Sequence, residues 1–172
     1  DLRHSIRTVT QEPFLFSDTV ENNIAFAIED RPEDWQEHFP SLLQQAALRE
    51  EVDKFPLQEQ TIVGEKGILL SGGQKQRISL ARSMATSCDL LILDNVLSAV
   101  DYETERYLLQ QIFARRQAKS LLIVSHRVTA VEKADWILVL DEGRIVAQGT
   151  HEELLQQPGY YQEMLALQHE TS

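Results

Sequence analysis

Two short apolar runs constrain this chain more than any other feature. DLLILD (89–94) and SLLIVS (120–125) are each too short for a buried helix and show no polar alternation within their apolar cores, the pattern of strands covered on both faces. Between them, DYETERYLLQQIFARR (101–116) sets Leu108, Leu109, Ile112 and Phe113 at helical spacing. A strand, a helix and a second buried strand in succession call for a crossover, so the two strands run parallel. IRTVT (6–10) predicts a further strand, and VTAVEKA (128–134) a short helix. DWILVLDEGRIVAQG (135–149) reads as a hairpin turning at Glu142-Gly143, and Thr150 with Glu153 offers a capping box for the tail helix THEELLQQ.

Residues 15 to about 86 read differently. They are mostly helical, with PEDWQEHF, SLLQQAALREEVDKF and GGQKQRISLARSMATS separated by Pro40 and by the loop PLQEQTIVGEKGILLS. Pro13 disfavours helix just before it, and Asp18 with Glu21 suggests a capping box opening the helix TVENNIAFAI. Gly64, Gly67, Gly72 and Gly73 crowd one stretch, which marks it as the place where special backbone geometry is used.

Composition excludes several roles. A formal net charge of −11 argues against a nucleic-acid partner, because such binding rests on neutralising phosphates with Lys and Arg. The single cysteine, Cys88, has no internal disulfide partner and reads as buried and inert; no Cys/His spacing suggests a metal cluster. No apolar stretch approaches the ~18 residues of a membrane span. The chain opens without methionine, in a segment that reads as the middle of a domain, so the expectation is an excised C-terminal portion of a longer protein.

The chemistry concentrates in three places. In ILLSGGQKQR (68–77), a helix starting just after Gly72-Gly73 would present unpaired N–H groups and a positive dipole end, which suits an anion, and glycines would let the backbone approach a phosphate closely. Asp94 closes a buried strand, a position from which a carboxylate can hold Mg²⁺ at a nucleotide's phosphates. His126 follows the second buried strand, and open α/β sheets bind ligands beyond the carboxyl ends of their strands.

Taken in order, Gln11, LSGGQ (70–74), LLILD (90–94), LSAVD (97–101) and His126 resemble the nucleotide-binding domain of ABC transporters over essentially the whole chain. TIVGEKG (61–67) and VTQEPFLFSDTVENNIAF further resemble the exporter branch. The resemblance implies an α/β fold: a P-loop NTPase-like core, partial and with a mostly parallel sheet, from residues 1–14 and 87–172, and an inserted α-helical subdomain over 15–86 carrying the signature motif. It implies ATP and Mg²⁺ as cofactors. Gln11 would sense the γ-phosphate and Mg²⁺, Asp94 would hold Mg²⁺, and His126 would stand near the γ-phosphate. Ser71, Gly72, Gly73 and Gln74 would reach across a dimer to the nucleotide of the opposite protomer, with Asp101 between the two sites. The implied partners are a second ABC ATPase subunit and transmembrane domains, the latter touched through the helical subdomain, the Gln11 loop and residues 61–67. The implied place is the cytoplasmic face of a membrane, in an exporter.

Two departures sharpen the expectation. No G-x-x-x-x-G-K-[S/T] occurs, so the chain alone is expected neither to bind ATP tightly nor to hydrolyse it. After Asp94 the family usually has a glutamate that polarises the attacking water; here Asn95 stands in its place. General-base assistance is worth ~10²–10⁴-fold, or roughly 2.7–5.4 kcal/mol of barrier, so a site built on Asn95 is expected to turn over slowly. A weakened catalytic position beside an intact LSGGQ suggests the degenerate half of a heterodimer, set against a homodimer slow at both sites or an engineered substitution. An ATP-dependent dimerisation switch without transport is the alternative. Trp35 and Trp136 read as packing residues, and Arg77 and Arg82 as a solvated helix face.

Overall fold

The structure, a computed structural model, describes residues 5–114 and 118–170. The chain divides into two units, residues 1–124 and 125–172. The first unit runs β1 (Ile6–Val9), β2 (Asp18–Thr19), α1 (Val20–Ala25), α2 (Trp35–Gln45), α3 (Arg49–Val52), a 3₁₀ turn (Gln58–Gln60), β3 (Ile62–Val63), α4 (Gly72–Met84), β4 (Cys88–Asp94), α5 (Tyr102–Ala114) and β5 (Ala118–Val124). The second runs α6 (Val128–Val131), β6 (Ile137–Asp141), β7 (Arg144–Gly149), α7 (His151–Leu155) and α8 (Tyr160–Glu170).

The expected parallel sheet is present in the first unit, in the order β1–β4–β5. Its register sets Val9 opposite Leu93, and Asp94 opposite Val124, so all three strands end at one edge. DLLILD lies in the middle, while SLLIVS forms the edge strand β5, where Leu122 and Val124 are half exposed rather than buried as expected. The crossover helix α5 buries Leu108, Leu109 and Ile112; the last residues expected in it, Arg115 and Arg116, lie outside the described residues.

The segment 15–86 carries four α-helices but is less helical than expected, since Asp18–Thr19 pairs antiparallel with Ile62–Val63, and it differs from expectation in three further local respects. Thr19, not Asp18, caps α1: its Oγ1 accepts the Asn22 N–H at 3.0 Å, while Asp18 lies in β2 and accepts the Thr19 N–H at 2.7 Å. Glu21 does not close a capping box. It is buried and accepts hydrogen bonds from Trp35 Nε1 (2.7 Å), Gln36 Nε2 (3.0 Å), Arg31 (3.1 Å) and Gln60. Pro40 does not separate two helices but sits inside α2. Pro40 and Gln36, whose carbonyl loses its donor, both lie on the exposed face, where water can substitute, while Trp35, Phe39, Leu42 and Leu43 bury the other face.

The real break comes at Ala47, in the left-handed region at φ 53°. Leu48 N–H bonds Leu43 O at 2.8 Å and Ala47 N–H bonds Gln44 O at 3.0 Å, the Schellman arrangement, with the Leu43 and Leu48 side chains both buried. Glycine usually occupies this position.

In the second unit, β6 and β7 pair as the expected hairpin, with Glu142 and Gly143 both at positive φ in its turn. Thr150 and Glu153 form the expected capping box on α7. Val128, Ile137, Val139, Leu154 and Tyr161 make the core. Burial pushes the Tyr161 hydroxyl up to about 12, so it stays neutral 2.8 Å from His151 Nδ1. Trp136 packs less than expected, being 56% exposed, whereas Trp35 is buried as anticipated. Cys88 is also buried, and desolvation raises its thiol pKa, which keeps it unreactive.

Candidate functional site

Helix α4 begins at Gly72, two residues before the expected start, with Ser71 as its cap. Ser71 Oγ accepts the Gln74 N–H at 3.2 Å, and Gln74 Oε1 accepts the Ser71 N–H at 2.8 Å. This reciprocal box consumes two donors of the first turn and leaves the Gly72 and Gly73 amides without an intrahelical acceptor. Gln74 therefore has a definite local task, holding the tip rigid. Ser71 and Gly72 are exposed, so the tip is open to a ligand.

The two glycines serve different ends. A β-carbon at Gly73 would stand 2.8 Å from the Ala99 carbonyl oxygen, closer than any side chain tolerates. Gly73 is thus required by packing against the 97–101 turn within this chain, a demand that the sequence reading did not include. At Gly72 the nearest atom to such a carbon is Ala99 Cβ at 3.9 Å, an ordinary contact. The open side of the tip is Gly72.

The same turn connects the tip to the end of β4. Asp94 is exposed at the carboxyl edge of the sheet. Asn95 follows at φ 51°, its N–H bonded to Val124 O at 2.8 Å and its carbonyl accepting from Ser98 Oγ at 2.9 Å. Asp101 caps α5: its two carboxylate oxygens accept the Thr104 N–H (2.9 Å) and the Thr104 hydroxyl (2.7 Å), bonds that lower its pKa from the usual carboxylate range. Gln11 is exposed, just past β1, and its carbonyl accepts from Gln76 Nε2 at 2.9 Å. The structure therefore brings Ser71–Gln74 against the 97–101 turn and ties Gln11 to α4. His126 belongs to the second unit, where it is exposed at the entry to α6.

Sequence reasoning missed the residues that hold α4 in place. Gln76, 3% exposed, is a buried amide on the helix face turned to the Gln11 loop. Arg77 is not solvated: it donates to Ala47 O and to Glu51 Oε1, both at 2.6 Å, and to Gly73 O at 3.3 Å. Arg82 likewise donates to Asn23 O at 2.7 Å and to Phe14 O at 3.2 Å. Apart from Gly73, one turn back on the same helix, their partners lie 26 to 68 residues away in sequence, where no local pattern could reveal them.

A parallel sheet with loops gathered at its carboxyl edge, next to a glycine-bearing helix tip, defines a P-loop NTPase-like α/β unit. A family model described as ABC transporter matches residues 1–98, and the chain belongs to that family. It is 42% identical over 167 residues to the ATP-dependent lipid A-core flippase of Pseudomonas fluorescens strain Pf0-1, covering 97% of the chain and 28% of the flippase. It is 41% identical over 166 residues to the multidrug resistance-like ATP-binding protein MdlA of Escherichia coli K12, covering 96% of the chain and 28% of MdlA. A solved bacterial Atm1-family ABC exporter with ATP bound superposes with a TM-score of 0.87 at 34% identity, covering 98% of the chain and 29% of the exporter. The chain thus spans little more than a quarter of the length of these relatives.

Proposed function

We propose that this chain is part of the ATP-hydrolysing module of an ABC exporter and that its Ser71–Gly73 tip completes an ATP site on a partner subunit. The observation that carries the reading is the α4 terminus, with two glycine amides lacking intrahelical acceptors behind a rigid Ser71–Gln74 box, open at Gly72. Residues 15–86 would act as the helical subdomain inserted between the core portions 1–14 and 87–172.

The residues present fit ATP and Mg²⁺. Among the described residues no cluster of three or more carboxylates, histidines or cysteines would hold a metal by itself. Mg²⁺ at a nucleotide needs no such cluster, because phosphates and water fill most of its shell. Exposed Asp94 would supply one carboxylate, and Gln11, on a loop held through its own carbonyl, would supply an amide near the same place. ATP supplies the phosphoanhydride bond whose cleavage powers transport. The Ser71 hydroxyl and the Gly72 and Gly73 amides would donate to phosphoryl oxygens, with Gln74 keeping them pre-set. His126 would donate to the γ-phosphate from its own loop. Asn95 carries a carboxamide, which orients water but does not take its proton near neutral pH.

That asymmetry supports the finer reading of a heterodimer, in which this subunit lends a good tip to its partner's site while its own site turns over slowly. The partner subunit and the transmembrane domains would hold the chain at the cytoplasmic face of a membrane. An aromatic surface supports contact with those domains. Phe16 meets Phe14 edge to face at a centroid distance of 5.1 Å and lies tilted against Phe26 at 4.3 Å, and both outer rings are exposed.

Gly72→Asp in the intact transporter tests the reading. A carboxylate at this open first-turn position favours the helix and meets no backbone, but would stand where a triphosphate is proposed. The expected result is a loss of ATP turnover of about 10-fold or more, since a like-charge contact at ~4 Å costs ~1–4 kcal/mol between bulk water and a protein surface and ~1.4 kcal/mol is tenfold. Unchanged turnover in a folded variant would overturn it.

A further inference from the structure

The last helix of the chain returns to the loop that carries His126. From α8, Gln168 donates through Nε2 to the His126 carbonyl at 3.0 Å and accepts the Val128 N–H on Oε1 at 2.9 Å. One planar amide thus closes over the backbone on both sides of Arg127. The Arg127 N–H is itself accepted by Ser125 Oγ at 2.9 Å. Downstream, Val128 is anchored in the core with Ile137, Val139, Leu154 and Tyr161. The His126 backbone is therefore held from two directions, while the residue itself remains exposed.

Among side chains, only a neutral carboxamide, that of Asn or Gln, offers an N–H donor and a carbonyl acceptor in one plane. Glutamate at 168 would keep the acceptor for Val128 and lose the donor to His126; methionine would keep the helix and lose both. We infer that Gln168 is a positioning residue for His126, setting through the loop backbone where the imidazole points. This inference rests on the reading of His126 as a γ-phosphate contact.

The test measures release of radiolabelled ATP from the intact transporter after dilution into unlabelled nucleotide, a readout suited to a slowly hydrolysing site. His126→Ala should speed release. Gln168→Met should speed it about 3–10-fold, as expected for losing two modest hydrogen bonds, and Gln168→Glu by less. Adding Gln168→Met to His126→Ala should change the rate by no more than about 2-fold, because coupled residues are not additive. Were His126→Ala effective and Gln168→Met without effect, or were the two effects to multiply, the positioning role would be overturned and Gln168 would be only a structural tie. Were His126→Ala itself without effect, the reading of His126 would fall, and this inference with it. Gln168→Glu, which preserves the helix and one bond, carries the comparison if the methionine variant does not fold.

Discussion

Gly73 lies against the carbonyl of Ala99, so that a β-carbon at residue 73 would approach that oxygen to 2.8 Å. The contact joins the tip of α4 to the turn that follows β4, and it separates two glycines that look equivalent in sequence. Gly73→Ala is expected to destabilise the protein by about 1–3 kcal/mol, the usual cost of overpacking. Gly72→Ala is expected to be neutral or stabilising by up to ~1 kcal/mol, because alanine is the better helix former and has room. Urea denaturation of both variants measures the difference; equal effects would contradict the packing assignment.

At Ala47 a β-carbon sits in the left-handed region, at φ 53°. Ala47→Gly relieves about 1–2 kcal/mol of local strain and returns about 0.4–1 kcal/mol as unfolded-state entropy. The net expectation is a gain of roughly 0.5–1 kcal/mol, seen as a higher urea midpoint with unchanged slope. The Ala47 carbonyl should stay in place for Arg77, since the Schellman bonds are made by backbone alone.

These two sites show where the sequence was legible and where it was not. DLLILD and SLLIVS announced a parallel pair because a helical pattern between two apolar runs calls for a crossover, although the edge strand β5 leaves Leu122 and Val124 half exposed. Thr150 with Glu153 and the Glu142-Gly143 turn were legible because their hydrogen bonds span only a few residues. The end of α2 was not, because an alanine does what glycine usually does, and Pro40 pointed to the wrong place for the break. Asp18 and Glu21 have capping-box spacing, yet Glu21 turns inward to Trp35 and Gln60, partners chosen by the fold. Arg77, Arg82, Gln76 and Gln168 escaped for the same reason. Each is a polar side chain whose task is defined by a backbone group distant in sequence.

Asp101 should make the start of α5 sensitive to acid. Hydrogen bonds from the Thr104 amide and hydroxyl lower its folded-state pKa. Its contribution is therefore fully present above the ordinary carboxylate value of about 4, and is lost as pH falls through the lower folded value. The Thr104 amide resonance, followed by NMR, is expected to titrate in that acidic window. Asp101→Asn should remove the titration while the side-chain oxygen still caps the helix.

Asn95 occupies its position at φ 51°, a conformation that Asn adopts far more readily than Glu. Asn95→Glu in the intact transporter is expected to raise turnover at this site by about 10²-fold or more, with a stability cost of about 1 kcal/mol from the backbone. ATPase assays alongside thermal melting read both quantities. Turnover that stays unchanged would mean that the missing carboxylate is not what limits the site.

The most direct measurement is an experimental structure of the intact transporter trapped with Mg²⁺ and ATP. The expected result places the Ser71 hydroxyl and the Gly72 amide within about 3 Å, hydrogen-bonding distance, of an oxygen on the γ-phosphate held by the partner subunit. A closed, nucleotide-loaded assembly in which the start of α4 faces solvent, away from any phosphoryl oxygen, would contradict the account.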